Sequence, residues 1–240
     1  MLFKKKIINF KGIKFNNLTF DEINNKLHNK SNLLVAPAAS ALSQIDINKE
    51  YHQSLKEADI VILDSGFFCI LLRIFKGLSV NRLSGYLFLK KFLSLNFKKK
   101  IKFFLVEPSK KDLIINKSYL NKKKINNITS YVAPKYNTEK FKDFKLLKKI
   151  RQKKPRFIIV NIGGGVQEIL GLYIKKNIKF KCSIICTGAA IAFLTKRQAP
   201  INNFIDRLYL GWLIRTLFDP KKFFMRNLSS LKLVKFFIFR

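Results

Sequence analysis

Three consecutive glycines, Gly163–Gly165, interrupt the segment Phe157–Gly171 and are followed by Gln167 and Glu168. The residues before the glycines are apolar and of strand length, and the residues after them suit a helix. Glycine allows a sharp turn and a close approach of the backbone to a ligand. The start of a helix offers unpaired N–H groups and the positive end of a dipole, which favour a phosphate. The segment is therefore a candidate nucleotide or nucleotide-sugar site, and a plain strand-to-helix turn is the alternative.

A second candidate is Asp64, which directly follows the apolar run in EADIVILDSGF. In an open α/β sheet, ligands bind beyond the carboxyl ends of the strands. Asp64 and Glu168 are both expected at such ends, where one carboxylate can act as a general base and the other can orient a substrate hydroxyl. The alternative for Asp64 is an N-cap of a helix that begins at Gly66 or Phe67, because Asp is a preferred capping residue.

The elements that position these residues follow from the periodicity of apolar residues. Short apolar runs predict strands at Lys6–Phe10, Asn32–Val35, Ile60–Leu63, Ile101–Val106, Phe157–Asn161 and Cys182–Thr187. Amphipathic stretches predict helices at Thr19–Asn29, Lys49–Ala58, Phe67–Phe75, Ser84–Leu95, Lys110–Leu120, Thr138–Lys153 and Val166–Lys175. Strands that alternate with helices predict an α/β fold with a mostly parallel, Rossmann-like sheet and helices on both faces.

The composition changes after about Ala199, which predicts an α/β core of residues 1–199 and a basic, helical C-terminal appendage of residues 200–240. Within Lys221–Arg240 all charged residues are basic and alternate with Phe and Leu. Such an amphipathic, aromatic-rich tail is typical of an element that lies on a membrane surface. A C-terminal helix that packs on the core is the alternative.

The 48 basic and 14 acidic residues give a formal net charge of +34. A charge of this size attracts polyanions, whether nucleic acid, an anionic bilayer or phosphorylated substrates. No helix-turn-helix, finger or RNA-recognition motif accompanies the charge, so nucleic acid is a disfavoured partner. The chain also lacks a G-x-S-x-G elbow, a Walker A lysine and an H-E-x-x-H pair, which disfavours hydrolase, P-loop and zinc-protease functions.

The basic start of the chain is interpreted as a first strand, because Lys11 and Lys14 interrupt its apolar run and no cleavage site for a signal peptide follows. No uninterrupted apolar stretch reaches the length that a bilayer-spanning helix needs. Cys69, Cys182 and Cys186 are expected to be reduced core thiols of a cytosolic protein. The spacing of Cys182 and Cys186 suits a metal, but no second ligand pair accompanies them, so no metal site is expected.

Taken together, four segments resemble the WecG/TagA/CpsF glycosyltransferases, the N-acetylmannosaminyltransferase-like enzymes of glycosyltransferase family 26. They are EADIVILDSGF, NRLSGYLFLKKFL, VNIGGGVQE, and CTGAAIAFLTKRQAP with DRLYLGWLIRTLFDPKKFFMR, in the family's order between about Asn32 and Arg226. The resemblance implies transfer of an N-acetylmannosamine-type or related hexose from a UDP-sugar to a polyprenyl-diphosphate-linked saccharide. It also implies inversion, no metal or cofactor, and a peripheral position on the inner face of the cytoplasmic membrane.

Carried over by position, the resemblance makes Asp64 the base that deprotonates the acceptor hydroxyl. It assigns donor binding to Gly163, Gly164, Gly165, Gln167, Glu168, Arg82 and Gly85. It assigns contact with the diphosphate and the membrane to Arg207, Arg215, Lys221, Lys222 and Arg226. The expected partners are the UDP-sugar, the polyprenyl-diphosphate-linked acceptor and an anionic membrane surface, with a homo-oligomer as a further expectation.

The chain departs from the family pattern at several positions. Ala36-Pro37-Ala38 stands where the family commonly has Thr-Pro-Asn, and Ala192 stands where many members have Asp. Val106 and Glu107 replace glycines that often follow the fourth strand. These departures bear on the identity of the donor sugar. The alternatives are a divergent inactive member, a nucleic-acid-binding protein driven by charge, and a Rossmann-like dinucleotide enzyme, for which a G-x-G-x-x-G motif is missing.

Overall fold

The computed structural model describes residues 3–96, 100–137, 141–198 and 211–238. Its strands are β1 Phe3–Lys4, β2 Ile7–Phe10, β3 Ile13–Asn16, β4 Leu33–Val35, β5 Ile60–Ile62, β6 Leu78–Ser79, β7 Phe103–Glu107, β8 Ile128–Val132, β9 Phe157–Val160 and β10 Ser183–Cys186. Its helices in the first 198 residues are α1 Phe20–Asn29, α2 Ala39–Leu42, α3 Lys49–Lys56, α4 Gly66–Lys76, α5 Gly85–Asn96, α6 Lys110–Lys122, α7 Phe144–Lys153, α8 Val166–Asn177 and α9 Ala190–Leu194. After residue 210 come α10 Gly211–Phe218, α11 Pro220–Ser230, a 3-10 turn Leu231–Val234 and α12 Lys235–Ile238.

Within the described residues, eight strands form the main sheet in the order β2-β3-β5-β4-β10-β9-β7-β8. Every neighbouring pair is parallel except β2 and β3, which form a hairpin. The hairpin turns through Lys11 and Gly12, whose φ angles of 49° and 77° give the left-handed turn that suits the twist of two antiparallel strands. The strands β1 and β6 form a separate parallel pair. The predicted α/β fold with a mostly parallel sheet is confirmed.

Side chains alternate between the two faces of the sheet, and helices cover both faces. On one face, Ile158 and Val160 of β9 belong to the same buried cluster as Leu170 and Ile174 of α8. We call this side the α8 face. On the other face, Phe157 and Ile159 join the buried cluster of α5, and we call this side the α5 face. Almost every residue of the central strands is fully buried, which explains their continuous apolar runs.

The predicted strands are all confirmed, and their ends agree with the structure to within two residues. The strands β3 and β8 were not anticipated, because each is short and carries polar residues: β3 reads IKFN and the half-buried β8 reads ITSYV. One predicted helix start was wrong. The helix predicted from Thr138 begins at Phe144, because the Asp143 carboxylate accepts a hydrogen bond from the Leu146 N–H at 2.8 Å and caps the helix there; residues 138–140 lie outside the described residues.

The C-terminal helices have one face on the core and one face exposed. Leu233 is fully buried, and the Phe237 ring lies 5.0 Å from the Phe10 ring and 6.0 Å from the Phe68 ring. At Leu233 and Phe237, therefore, the C-terminal segment packs on the core, which was the alternative to a membrane-surface tail. The opposite face exposes large apolar side chains: Phe224, Met225, Leu228, Leu231 and Ile238. The division into two domains stays a prediction. In the described ranges, no helix has both the length and the apolar character needed to cross a membrane.

Candidate active site

Five adjacent parallel strands end at the same edge of the sheet and bring the candidate residues together. In spatial order these strands are β5, β4, β10, β9 and β7. Ala36, Thr187 and Asn161 directly follow β4, β10 and β9, and Glu107 ends β7. Asp64 lies two residues past β5, beside the start of α5. The glycine turn Gly163–Gly165 follows Asn161 along the same edge. This crevice at the carboxyl edge is the position at which open α/β sheets bind ligands.

Asp64 is held by the start of α5. Its Oδ1 accepts a hydrogen bond from the Gly85 N–H at 2.8 Å, and its backbone carbonyl accepts one from Arg82 Nε at 3.0 Å. The structure thus brings together three of the predicted site residues. The capping alternative for Asp64 is wrong, because the hydroxyl of Ser65 caps α4 by accepting from the Phe68 N–H at 3.2 Å. The half-buried Asp64 carboxylate instead bonds the first N–H of α5 through one of its oxygens.

Gly85 has a packing reason to be glycine. A Cβ on Gly85 would lie 3.3 Å from the Cβ atoms of Ala36 and Thr187 and 3.3 Å from the Thr187 carbonyl oxygen. The absence of a side chain lets the start of α5 approach the ends of β4 and β10 closely. This approach brings the Gly85 N–H within reach of Asp64.

The glycine turn faces open space. A Cβ added to Gly163, Gly164 or Gly165 would meet no described atom within 4 Å. Internal packing therefore does not explain the glycines at 163 and 164, which are exposed. Gly165 has a φ of 92°, a conformation that residues with a side chain rarely adopt. The turn leaves room for a ligand to approach the backbone at the start of α8.

Gln167 and Glu168 tie two glycine turns together. Glu168 Oε2 accepts from the Gly165 N–H at 2.7 Å, and Glu168 Oε1 accepts from Gln167 Nε2 at 2.9 Å. Gln167 Oε1 in turn accepts from the Gly188 N–H at 2.8 Å, just beyond β10. Burial raises the pKa of Glu168 to about 7, and the charge of Asp64 adds to the rise while the hydrogen bonds oppose it. We call this group the Glu168 network.

A buried tyrosine of α3 faces the same interior. Tyr51 is 1% exposed, and its hydroxyl has no hydrogen-bond partner among the described residues. Burial raises the pKa of Tyr51, and the charges of Glu168 and Asp64 raise it further. Tyr51 could not be singled out from the sequence, because it occupies an ordinary apolar position of an amphipathic helix.

A second buried carboxylate lies further along the edge. Glu107 Oε1 accepts from Asn161 Nδ2 and Glu107 Oε2 accepts from Asn116 Nδ2, both at 2.8 Å. Glu107 is fully buried, and burial raises its pKa to about 7 despite these two hydrogen bonds. We call this group the Glu107 network. Glu107 was noted in the sequence only as a departure from the family, and Asn161 only as the end of a strand.

The three cysteines are buried and free, as predicted. Burial raises the pKa of Cys69 and of Cys182 to about 12, which keeps both as thiols at neutral pH. Across the described part of the chain, no group of three or more His, Cys, Asp or Glu residues is arranged to hold a metal ion.

The structure describes only some of the basic residues that were predicted to contact the diphosphate and the membrane. Lys221 and Arg226 are exposed on α11, and the Arg226 guanidinium lies 5.6 Å from the centre of the Phe223 ring. Arg207 and the side chains of Arg215 and Lys222 lie outside the described residues. The assignments of these five residues stay predictions.

Comparison with known proteins agrees with the resemblance seen in the motifs. The chain matches the family model described as "Glycosyl transferase WecG/TagA/CpsF family" over residues 8–240, nearly its whole length. No curated protein gives a significant match to the chain. The family match includes the crevice at the carboxyl edge and the C-terminal helices.

Proposed function

Because the chain belongs to the WecG/TagA/CpsF glycosyltransferase family, we propose that it transfers a hexose from a UDP-sugar to a polyprenyl-diphosphate-linked saccharide. The observation that carries the proposal is the position of Asp64. Its carboxylate is fixed by Gly85 at the edge of the sheet where the open glycine turn also lies. Membership of the family supports a transferase that acts in cell-surface polysaccharide synthesis. We propose in addition the UDP-sugar donor, the lipid-linked acceptor and the inverting mechanism.

In the proposed reaction, Asp64 is the general base. The acceptor hydroxyl oxygen attacks the anomeric carbon of the donor sugar, and its proton passes to the Asp64 carboxylate. The bond from the anomeric carbon to the phosphate oxygen breaks, and UDP leaves with the electron pair. A single displacement of this kind inverts the anomeric configuration. The hydrogen bond from Gly85 keeps one oxygen of the Asp64 carboxylate in place. It thereby orients the other carboxylate oxygen to accept the proton of the acceptor hydroxyl.

The start of α8 and Arg82 supply the proposed diphosphate site. Helix N–H groups and a guanidinium can stabilise the charge on departing UDP without a divalent cation. The hydrogen bonds of Gln167 and Glu168 run to each other and to the backbone of Gly165 and Gly188. We therefore assign these two side chains to donor binding through the position of the glycine turn. The alternative nucleic-acid-binding function has only the net charge of +34 in its favour.

The test is a binding panel of nucleotides and UDP-sugars with the wild type and a Gln167→Ala/Glu168→Ala variant. We expect the wild type to select UDP and UDP-sugars, and the variant to lose this binding because the turn is released. The matched control is Gln53→Ala/Glu57→Ala, which removes a Gln–Glu hydrogen bond of 2.8 Å on the surface of α3. Equal UDP binding by the variant and the control would contradict the proposed donor site.

Peripheral membrane binding through the C-terminal helices is the second part of the proposal. The exposed apolar side chains of α11 and the 3-10 turn lie among exposed cations, Lys221, Arg226 and Lys232. An apolar face edged by basic residues suits the surface of an anionic bilayer. The acceptor, with its polyprenyl chain, is held in such a bilayer, so this surface would bring the enzyme to its substrate.

Substitution tests this surface better than deletion, because Leu233 and Phe237 belong to the core. We expect Phe224→Ser/Leu228→Ser to lower sedimentation of the protein with vesicles that contain phosphatidylglycerol. The control Ile114→Ser/Phe144→Ser removes two exposed apolar side chains of α6 and α7. Equal vesicle binding by both double variants would show that the C-terminal surface is not the membrane contact.

A further inference from the structure

The helix α4 is apolar around nearly its whole circumference. Its sequence is GFFCILLRIFK, in which Arg73 and Lys76 are the charged residues. The side chains that pack into the core of the α8 face are Phe68, Cys69, Leu71 and Leu72. A helix that is apolar all round is normally buried all round. The described part of the chain covers the inner side of α4 and leaves apolar residues exposed on the outer side.

The outer side of α4 carries three large apolar residues. Ile70 is 44% exposed, Ile74 is 69% exposed and Phe75 is 43% exposed. Ile70 and Ile74 lie one above the other on the helix, because they are one turn apart. We call these three residues the α4 surface. Exposed apolar patches with polar rims mark contacts with proteins or membranes.

The α4 surface adjoins the C-terminal helices. The ring of Phe237 in α12 lies 5.6 Å from the Phe75 ring and 6.0 Å from the Phe68 ring. The next residue after Phe237 is the exposed Ile238. The helix α12 directly follows the 3-10 turn, which carries part of the surface proposed to contact the membrane. The exposed apolar side chains of α4 and of the C-terminal helices therefore lie on adjacent elements.

The charges around the α4 surface indicate which partner covers it. The charged residues of α4, the 3-10 turn and α12 are all basic and exposed: Arg73, Lys76, Lys232 and Lys235. In a symmetric dimer through this surface, the same basic residues of the two copies would lie close together. The net charge of +34 also opposes self-association. An anionic bilayer offers both an apolar interior and a negative surface, which complement the two features.

The helix α4 begins beside the proposed catalytic base. Ser65 caps α4 and directly follows Asp64. At 1.5 Å per residue, Ile70 lies about 8 Å along the helix from Ser65. A lipid-linked acceptor keeps its diphosphate at the bilayer surface, and its saccharide extends from there to the base. A membrane contact on α4 would therefore fix the distance between Asp64 and the bilayer.

We infer that α4 is a second membrane contact, located on the α/β core and separate from the C-terminal helices. The inference rests on the proposed function, in which the acceptor lies in the bilayer. The α4 surface enters the boundary between headgroups and acyl chains, while Arg73 and Lys76 stay among the anionic headgroups. With 11 residues, α4 is too short to cross a bilayer and lies along its surface. Two contacts on adjacent elements fix the orientation of the crevice toward the membrane.

The test places a fluorescent label on the α4 surface. The three native cysteines are buried, so Ile74→Cys supplies an accessible thiol for the environment-sensitive dye NBD. We expect vesicles that contain phosphatidylglycerol to raise the NBD emission and shift it to the blue. The matched control is Ile114→Cys, because Ile114 is 66% exposed on α6, and α6 packs on the opposite α5 face. The emission of the label there should stay unchanged.

The variant Ile70→Ser/Ile74→Ser gives an independent measurement. We expect it to raise the lipid concentration for half-maximal sedimentation with phosphatidylglycerol vesicles by about tenfold or more, because two apolar side chains no longer enter the bilayer. The control Leu95→Ser/Ile114→Ser removes two exposed side chains of α5 and α6 and should leave this concentration unchanged.

The outcomes separate the inference from the proposed function. An unchanged NBD spectrum of Ile74→Cys in protein that sediments with the vesicles would overturn the inference and leave the C-terminal contact in place. A spectral change that needs no vesicles and grows with protein concentration would overturn it in favour of an interface between copies of the chain.

Lower thermal stability of Ile70→Ser/Ile74→Ser, with unchanged sedimentation, would also overturn the inference, because another part of the chain would then cover α4. Failure of the wild type to sediment with the vesicles would overturn it together with the proposed membrane binding. The nucleotide-binding panel tests the proposed transfer reaction separately.

Discussion

Glu168 and Glu107 lie at the same edge of the sheet, on opposite faces, and differ in what their partners do. Both are at most 1% exposed, and burial raises the pKa of each to about 7. The partners of Glu168 are a backbone N–H and Gln167, whose other end is held by the backbone of Gly188. The Glu168 network is therefore closed, and it fixes the backbone of two turns.

The Glu107 network is open in comparison. Its two partners are the amides of Asn161 and Asn116, and the carbonyl oxygens of both have no partner among the residues that the structure describes. Burial thus costs the two carboxylates a similar amount of free energy, but their partners differ. The closed network fixes the backbone of two turns, whereas the open network leaves two buried carbonyl oxygens without a partner among the described residues. Three predictions test this difference.

The largest expected effect separates Glu168→Gln from Glu107→Gln. At pH 8 each variant removes a buried carboxylate charge. Because burial shifts the pKa of both carboxyls alike, removing the charge should recover a similar desolvation cost in each variant. A glutamine at 168 must place its NH2 group against the Gly165 N–H or against Gln167, which cannot turn because Gly188 holds its carbonyl. A glutamine at 107 meets amides that can turn, since their carbonyls are unengaged.

We therefore expect Glu168→Gln to be less stable than Glu107→Gln by about 1–3 kcal/mol in urea unfolding at pH 8. Two equal free energies of unfolding would mean that the networks do not differ as described. Thermal unfolding with the same ranking provides an independent check.

The second effect concerns the position of α8, which carries the Glu168 network. A Cβ on Gly171 would lie 2.7 Å from Leu33 Cδ1 and 2.8 Å from Cys186 Sγ, both buried. Overpacking costs about 1–3 kcal/mol, and the better helix propensity of alanine returns about 1 kcal/mol. We expect Gly171→Ala to lose up to about 2 kcal/mol of stability on this balance.

The matched control for Gly171→Ala is Gly163→Ala, because the Gly163 Cβ would meet no described atom within 4 Å. We expect its stability to change by less than about 0.5 kcal/mol. Its UDP affinity should fall, since the methyl group lies in the space open to a ligand. The reverse pattern, with Gly163→Ala unstable and Gly171→Ala neutral, would contradict the packing described for α8.

The third effect is a pH dependence of stability. Between the ordinary carboxyl pKa of 4.5 and the raised value of about 7, the folded protein holds protons on Glu107 and Glu168 that the unfolded chain has released. Their contribution to stability is present below pH 4.5 and is lost as pH rises through 7. The slope is at most about 1.4 kcal/mol per pH unit for each carboxyl. Urea unfolding between pH 5 and pH 8 should show a shallower slope in Glu107→Gln than in the wild type.

The sequence alone predicted most of the sheet and placed Asp64 and the glycine turn at its carboxyl edge. The central strands are fully buried, so their sequences are continuous apolar runs that are easy to recognise. The strand β8 was missed because it is half buried and mixes polar with apolar residues. Asp64 and the glycine turn were found because strand ends mark ligand sites in this fold class. The Glu107 network was not found, because Asn161 and Asn116 are distant in the sequence and meet only through the register of β7 and β9 and the packing of α6.

The most direct test of the central claim is the kinetics of Asp64→Asn. Asparagine keeps an oxygen to accept the hydrogen bond from the Gly85 N–H but cannot take a proton. The assay follows transfer of radiolabelled sugar from UDP-N-acetylhexosamine to a polyprenyl-diphosphate-linked saccharide. We predict that kcat falls by about 10²–10⁴-fold, while UDP affinity and thermal stability stay at wild-type values. Transfer at the wild-type rate, or loss of UDP binding together with activity, would contradict the assignment of Asp64 as the base.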